Sequence, residues 1–182
     1  MDLTDQEKKA LLDIAKRAIM AKAGNRELPK LTVDLPILQE KRGAFVTLKK
    51  RGHLRGCIGY IKAVKPLGDT VQEMAVAAAF HDPRFPSVKG DEIRDLSFEI
   101  SVLSPLQKIK NIDDIEVGNH GLYIVRGYNS GLLLPQVATE YGWDRETFLK
   151  ETCYKAGLPP KAWKDKETDI YIFSADYFSD KD

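Results

Sequence analysis

Two β-rich runs, Ala44 to Leu48 (AFVTL) and His53 to Ile61 (HLRGCIGYI), are separated only by the turn-forming stretch KKRG. Runs this close leave no room for a crossover helix, so they must pair as an antiparallel hairpin. A second hairpin is expected from Gly121 to Arg126 (GLYIVR) and Gly131 to Leu134 (GLLL), folded around GYNS. Leu96 to Leu103 (LSFEISVL) alternates like a strand, and Asp169 to Phe173 (DIYIF) reads as the last strand.

Helical patterns fall between these strand groups. Thr4 and Glu7 have the spacing of a capping box, in which each side chain satisfies an orphaned backbone N–H. Leu11, Ile14, Ala15, Ala18 and Ile19 then recur at helical spacing, and Gly24 is a stop. Asp69 is the expected cap of a second helix whose apolar stripe is Val71, Met74, Ala75 and Ala78. That helix must end near Phe80, because HDPRFPS contains two prolines. Further helical stretches run from Pro135 to Tyr141 and from Asp144 to Ala156, the latter with Phe148, Leu149, Cys153 and Ala156 on one face. Residues 25 to 42 read as a connecting arm, and 104 to 120 as a mixed connector. Hairpin-joined strands with helices between the groups give an α+β fold, an antiparallel or mixed sheet with helices packed on it.

Composition narrows the function classes. The chain has 182 residues, 43% of them hydrophobic and 30% charged, so it can bury a core. Lys and Arg number 28 against 27 Asp and Glu, a net charge of +1. A protein built to coat nucleic acid carries a larger basic excess, so a nucleic-acid role is only a weak alternative. The longest strictly apolar run is Met74 to Phe80, far short of the roughly 20 residues of a membrane helix. The opening MDLTDQEKKALLD is charged and lacks a signal-peptide pattern. A cytoplasmic chain away from the membrane is the expectation.

LRGCIG, residues 54 to 59, is the most informative stretch. Glycines inside a strand weaken it and often mark close approach of a ligand or another backbone. Strict alternation puts His53, Arg55, Cys57 and Gly59 on one face, and Leu54, Gly56, Ile58 and Tyr60 on the other. Arg55 would then lie roughly 6–7 Å from Cys57, close enough to favour a thiolate, with His53 about 13 Å away. His81 opens the kinked loop HDPRF and is the candidate acid/base partner of Cys57. Asp82 and Arg84 of that loop, with Arg55, His53, Gly56 and Gly59, are candidate ligand-binding residues. The bland alternatives are a small buried cysteine filling a strand position and a rigid connector anchored by Phe85.

Cys57 and Cys153 are too far apart in sequence for a CxxC site, and both are expected to be reduced thiols. Cys153 falls on an apolar helical face and reads as core. The three histidines, His53, His81 and His120, form no close pair, so no metal site is expected. No phosphate-loop, dinucleotide-binding, HExxH or GxSxG motif occurs.

The stretches GAFVTLKKRGHLRGCIGYI (43 to 61), AAAFHDPRFPSV (78 to 88) and LSFEISVLSP (96 to 105) together resemble the AMMECR family. GLYIVRGYNSGLLLPQVATEYGW (121 to 143) and FLKETCYKAGLP (148 to 159) continue the resemblance over roughly residues 5 to 178, closest to the archaeal and bacterial members linked to the AmmeMemoRadiSam system. LRGCIG is the family's signature. The resemblance implies one domain of two unequal lobes with a cleft between them, the larger lobe formed by both chain ends and the smaller by a middle segment. It implies an intracellular location and genetic association with a radical-SAM protein and a Memo-like protein, and a role in a modification pathway with them is the favoured expectation. It carries over no reaction and no catalytic residue. Any iron–sulfur cluster or S-adenosylmethionine would belong to the partner, so no cofactor is expected in this chain. Two readings remain: a ligand-binding or catalytic site using Cys57 and His81, or an adaptor that docks a partner through the LRGCIG surface. Oligomeric state is open.

Overall fold

In the computed structural model, which describes residues 3–181, the chain divides into two compact units, residues 3–103 with 176–181, and Ser104–Ala175. Each has its own four-stranded sheet and its own apolar core. The fold is α+β, with helices packed on antiparallel sheets rather than between parallel strands.

The first unit begins with α1 (Asp5–Ala23), started by the Thr4–Glu7 capping box and closed at Gly24. A single short turn of helix, α2 (Pro36–Gln39), interrupts the expected arm and buries Ile37 and Leu38. β1 (Ala44–Lys50) and β2 (His53–Tyr60) form the first hairpin. Arg51 (φ 52°) and Gly52 (φ 81°) both take the left-handed conformation, as a two-residue turn matched to the twist of its strands requires. α3 (Leu67–Phe80) follows. Its cap is Pro66 rather than Asp69, which lies in the first turn. The Leu67 N–H is satisfied by the Glu40 carbonyl (2.8 Å), so this helix start needs no side-chain cap.

β3 (Leu96–Leu103) pairs antiparallel with β1. The sheet is completed by a strand not expected from sequence, β8 (Ala175–Ser179), giving the order β2-β1-β3-β8. Its pattern ADYFS has a single strong apolar residue, Phe178, and that residue is buried. The stripes of α1 (Leu11, Ile14, Ile19) and α3 (Val71, Met74, Ala75) cover one face of this sheet, against Ala44, Val46, Leu48 and Ile100.

In the second unit, β4 (Gln107–Ile109), β5 (Gly121–Arg126), β6 (Asn129–Leu133) and β7 (Asp169–Phe173) form a sheet of order β4-β7-β5-β6. α4 (Pro135–Glu140) and α5 (Arg145–Lys155), the latter capped by Asp144, supply Ala138, Phe148, Leu149 and Cys153 to its core. Cys153 is fully buried, and that burial pushes its thiol up from the ordinary value.

Candidate functional site

The β1–β2 ladder breaks its register once. Leu48 pairs with Gly56 and Lys49 with Leu54, so Arg55 has no partner opposite it. That extra residue is a β-bulge, and it reverses the alternation read from the sequence. Simple counting from the turn would set Cys57 opposite Val46, whose side chain is in the core. With the bulge, Cys57 stands opposite Thr47 and its side chain is on the face away from the helices. Leu54, paired with Lys49, moves to that same face and is 42% exposed. His53 pairs with Lys50 and goes to the other, so it does not share a face with Cys57 as expected.

A polar row now crosses three strands, Cys57 opposite Thr47 and Thr47 opposite Glu99. Thr47 Oγ1 lies 3.2 Å from Cys57 Sγ, within reach of a hydroxyl-to-sulfur hydrogen bond. Glu99 pairs with Lys49 at 2.6 Å. Cys57 is half-buried and reduced. In the next row, a Cβ on Gly59 would sit 2.3 Å from the ring of Phe45. The space beside Gly59 is therefore filled by an aromatic ring from the neighbouring strand.

β2 is an edge strand, and the HDPRF loop seals it at Cys57. The Cys57 N–H donates to Asp82 Oδ2 (2.9 Å), and Arg84 Nη2 donates to the Cys57 carbonyl (3.2 Å). Both backbone groups thus point off the sheet, which makes Cys57 and Thr47 a close, non-hydrogen-bonded pair. Arg84 also grips Asp82 through Nε (3.0 Å) and Nη2 (2.7 Å). Hydrogen bonding from Arg84, followed by the Cys57 N–H, outweighs the burial of Asp82 and holds its carboxyl far below the usual carboxylate range. Gly56 lets the loop reach this position. A Cβ there would meet the Ala78 carbonyl oxygen at 2.1 Å, so only glycine lets the end of α3 lie directly on the strand.

Two expected partners of the sulfur are placed elsewhere. Arg55 turns to Glu92, with Nε 2.8 Å from Oε1 and Nη2 3.2 Å from Oε2. It shares that carboxylate with Lys50 (3.0 Å), which alternation puts on the face opposite Thr47. Arg55 hydrogen bonding brings the Glu92 carboxyl down to about 2. The guanidinium beside Cys57 is that of Arg84, which meets its backbone carbonyl. His81 caps the end of α3 and lines a cavity of about 730 Å³ with Ile58, Tyr60 and Met74; Cys57 is not among its lining residues. No hydrogen bond links the imidazole to the sulfur among the described residues. Sequence reasoning missed Thr47, Glu99 and Glu92, because cross-strand neighbours depend on a register that the bulge changes. Among the described residues, no group of three or more His, Cys, Asp or Glu side chains could hold a metal ion.

The AMMECR1 family model matches residues 12–178 of the chain. The chain belongs to the AMMECR1 family. A protein of Methanothermobacter thermautotrophicus is 48% identical over 183 residues, covering 97% of this chain and 95% of that one. Protein MK0488 of Methanopyrus kandleri is 41% identical over 189 residues, covering 99% of this chain and 91% of its own. The crystal structure of the Pyrococcus horikoshii protein PH0010 superposes with a TM-score of 0.92 at 41% identity, covering 98% of this chain and 94% of that one. Both LRGCIG and the HDPRF loop fall inside the part of this AMMECR1 chain that the family model matches. No helix among its described residues is long and apolar enough to cross a membrane.

Proposed function

We propose that the sheet face carrying Cys57, Thr47 and Glu99 is the ligand-binding site of this AMMECR1 chain, and that the Cys57 thiol takes part in binding or catalysis there. The ligand is a small molecule or a group on a protein, within a modification pathway that involves a radical-SAM protein and a Memo-like protein. One observation carries the reading. A β-bulge, usually a positioned feature rather than a defect, turns this one thiol out of the core, and the loop 81–85 then clamps its backbone from both sides. A cysteine needed only for packing requires neither. Arg84, not Arg55, supplies the cationic neighbour and offers its half-exposed guanidinium to an anionic group.

An adaptor role is the second reading, favoured by the missing imidazole at the sulfur. The two separate in one experiment. Cys57→Ala is compared with the parent chain for co-purification with the radical-SAM and Memo-like proteins and for pathway function in the host. The thiol reading predicts retained co-purification and lost function. Retention of both supports the adaptor and removes the thiol from the mechanism.

A further inference from the structure

A second cavity, of about 630 Å³, lies in the first unit between the end of α1, the 3-10 turn Gly90–Asp95 and β3. It shares no residue with the Cys57 face. Its wall and floor are apolar: Met20, Ile93, Leu96 and Phe98. Met20 is 51% exposed, an unbranched and adaptable side chain left uncovered. The volume is within the range of small-molecule sites, which combine apolar walls with a few convergent polar groups.

Those polar groups are mainly cationic. Lys16, Arg26 and Arg94 line the cavity, against one carboxylate, Asp180. Asp180 is already used: it pairs with Lys16 at 2.7 Å and accepts the Phe98 N–H at 2.9 Å. Lys16 is held over the Phe98 ring, 5.4 Å from its centre. Arg26 spends one donor on the Met20 carbonyl at 3.5 Å, and Arg94 makes no ion pair or hydrogen bond among the described residues. Two guanidinium groups therefore border an apolar hollow whose one lining carboxylate is paired elsewhere. Gly90 also lines the cavity, and an added Cβ there would meet nothing within 4 Å.

We infer that this cavity binds a small amphipathic carboxylate, its apolar body against Met20, Ile93 and Phe98 and its head group on Arg94 and Arg26. The guanidinium fork matches a carboxylate bidentately, and the apolar wall rewards a hydrocarbon or aromatic body.

Isothermal titration of the full chain with octanoate and with 1-naphthoate tests it, with octan-1-ol and octylamine as controls. At least one acid binds saturably at one site per chain, and the alcohol and amine do not. Arg94→Gln removes one of the two guanidinium groups and Gly90→Trp sets a bulky ring on the cavity lining; each weakens binding about tenfold or more, as loss of a charge-assisted pair or of room for the ligand should. Circular dichroism confirms that both variants fold, and Cys57→Ala binds as the parent does. Lack of saturable binding of both acids at millimolar concentration overturns the proposal. So does equal binding by the folded Arg94→Gln and Gly90→Trp chains, or equal binding of octan-1-ol.

Discussion

Thr47 Oγ1 lies 3.2 Å from Cys57 Sγ because one extra residue, Arg55, shifts the register of β2 against β1. The contact joins the bulge to the chemistry of the face. A hydroxyl donating to sulfur, a weak acceptor, fixes the direction in which the thiol is presented. Thr47→Val removes that donor at nearly constant shape. The variant should keep the fold within about 1 kcal/mol and alkylate a few-fold more slowly at Cys57 near neutral pH. Rates of iodoacetamide modification on the two folded chains check this.

Gly56 and α3 form a contact that admits no side chain. Gly56→Ala would drive a methyl group against the Ala78 carbonyl oxygen, a backbone atom that cannot rotate away. We expect a loss of roughly 2–3 kcal/mol or more, the cost of an overpacked core. Gly90→Ala, where nothing lies within 4 Å, should be neutral to within about 0.5 kcal/mol. Urea unfolding of the two variants gives the comparison.

Asp82→Ala should loosen the edge of the sheet. It leaves the Cys57 N–H without its acceptor and Arg84 without its anion. An unmet backbone donor and a broken charged bond together cost about 2–3 kcal/mol, discounted because the Arg84 side chain is 54% exposed. Native-state hydrogen exchange should show the Cys57 amide losing protection before the amides of β3.

Acid should destabilise the first unit through Glu92. Its carboxyl is brought down from 4.5 to about 2 by Arg55 and Lys50, so the unfolded chain takes up the proton first. Between those two values the unfolded state holds more protons, and stability falls as pH falls. The contribution is complete above the unfolded value and disappears below the folded one; Asp82 acts in the same direction. Glu92→Gln should be less stable near pH 7 and show a flatter decline from about pH 5 to about pH 2, followed by urea midpoints. An unchanged slope would contradict the assignment.

Helix positions, the hairpins and the α+β class could be read from the chain because they depend on local periodicity, caps and turns. Thr4, Glu7, Gly24 and Asp144 mark ends of α1 and α5 as expected. The α3 start lies ahead of Asp69 because the Glu40 carbonyl, distant in sequence, satisfies it. Cys57 stands out in the sequence by its flanking glycines, but its neighbours do not. Alternation holds only while the ladder is regular, and the bulge exchanged the faces of His53 and Leu54 and left Arg55 to Glu92. The cationic neighbour, Arg84, comes from the loop after α3, whose end packs on β2 at Gly56.

Cys57 presents its sulfur outside the core while Cys153 does not. Iodoacetamide treatment of the folded chain at about pH 8, read by peptide mass spectrometry, tests it directly, since reactivity follows exposure and thiolate character. One adduct per chain, on Cys57, is the expected result, with Cys153 modified only after unfolding. A Cys57 that resists until the chain unfolds would contradict the account.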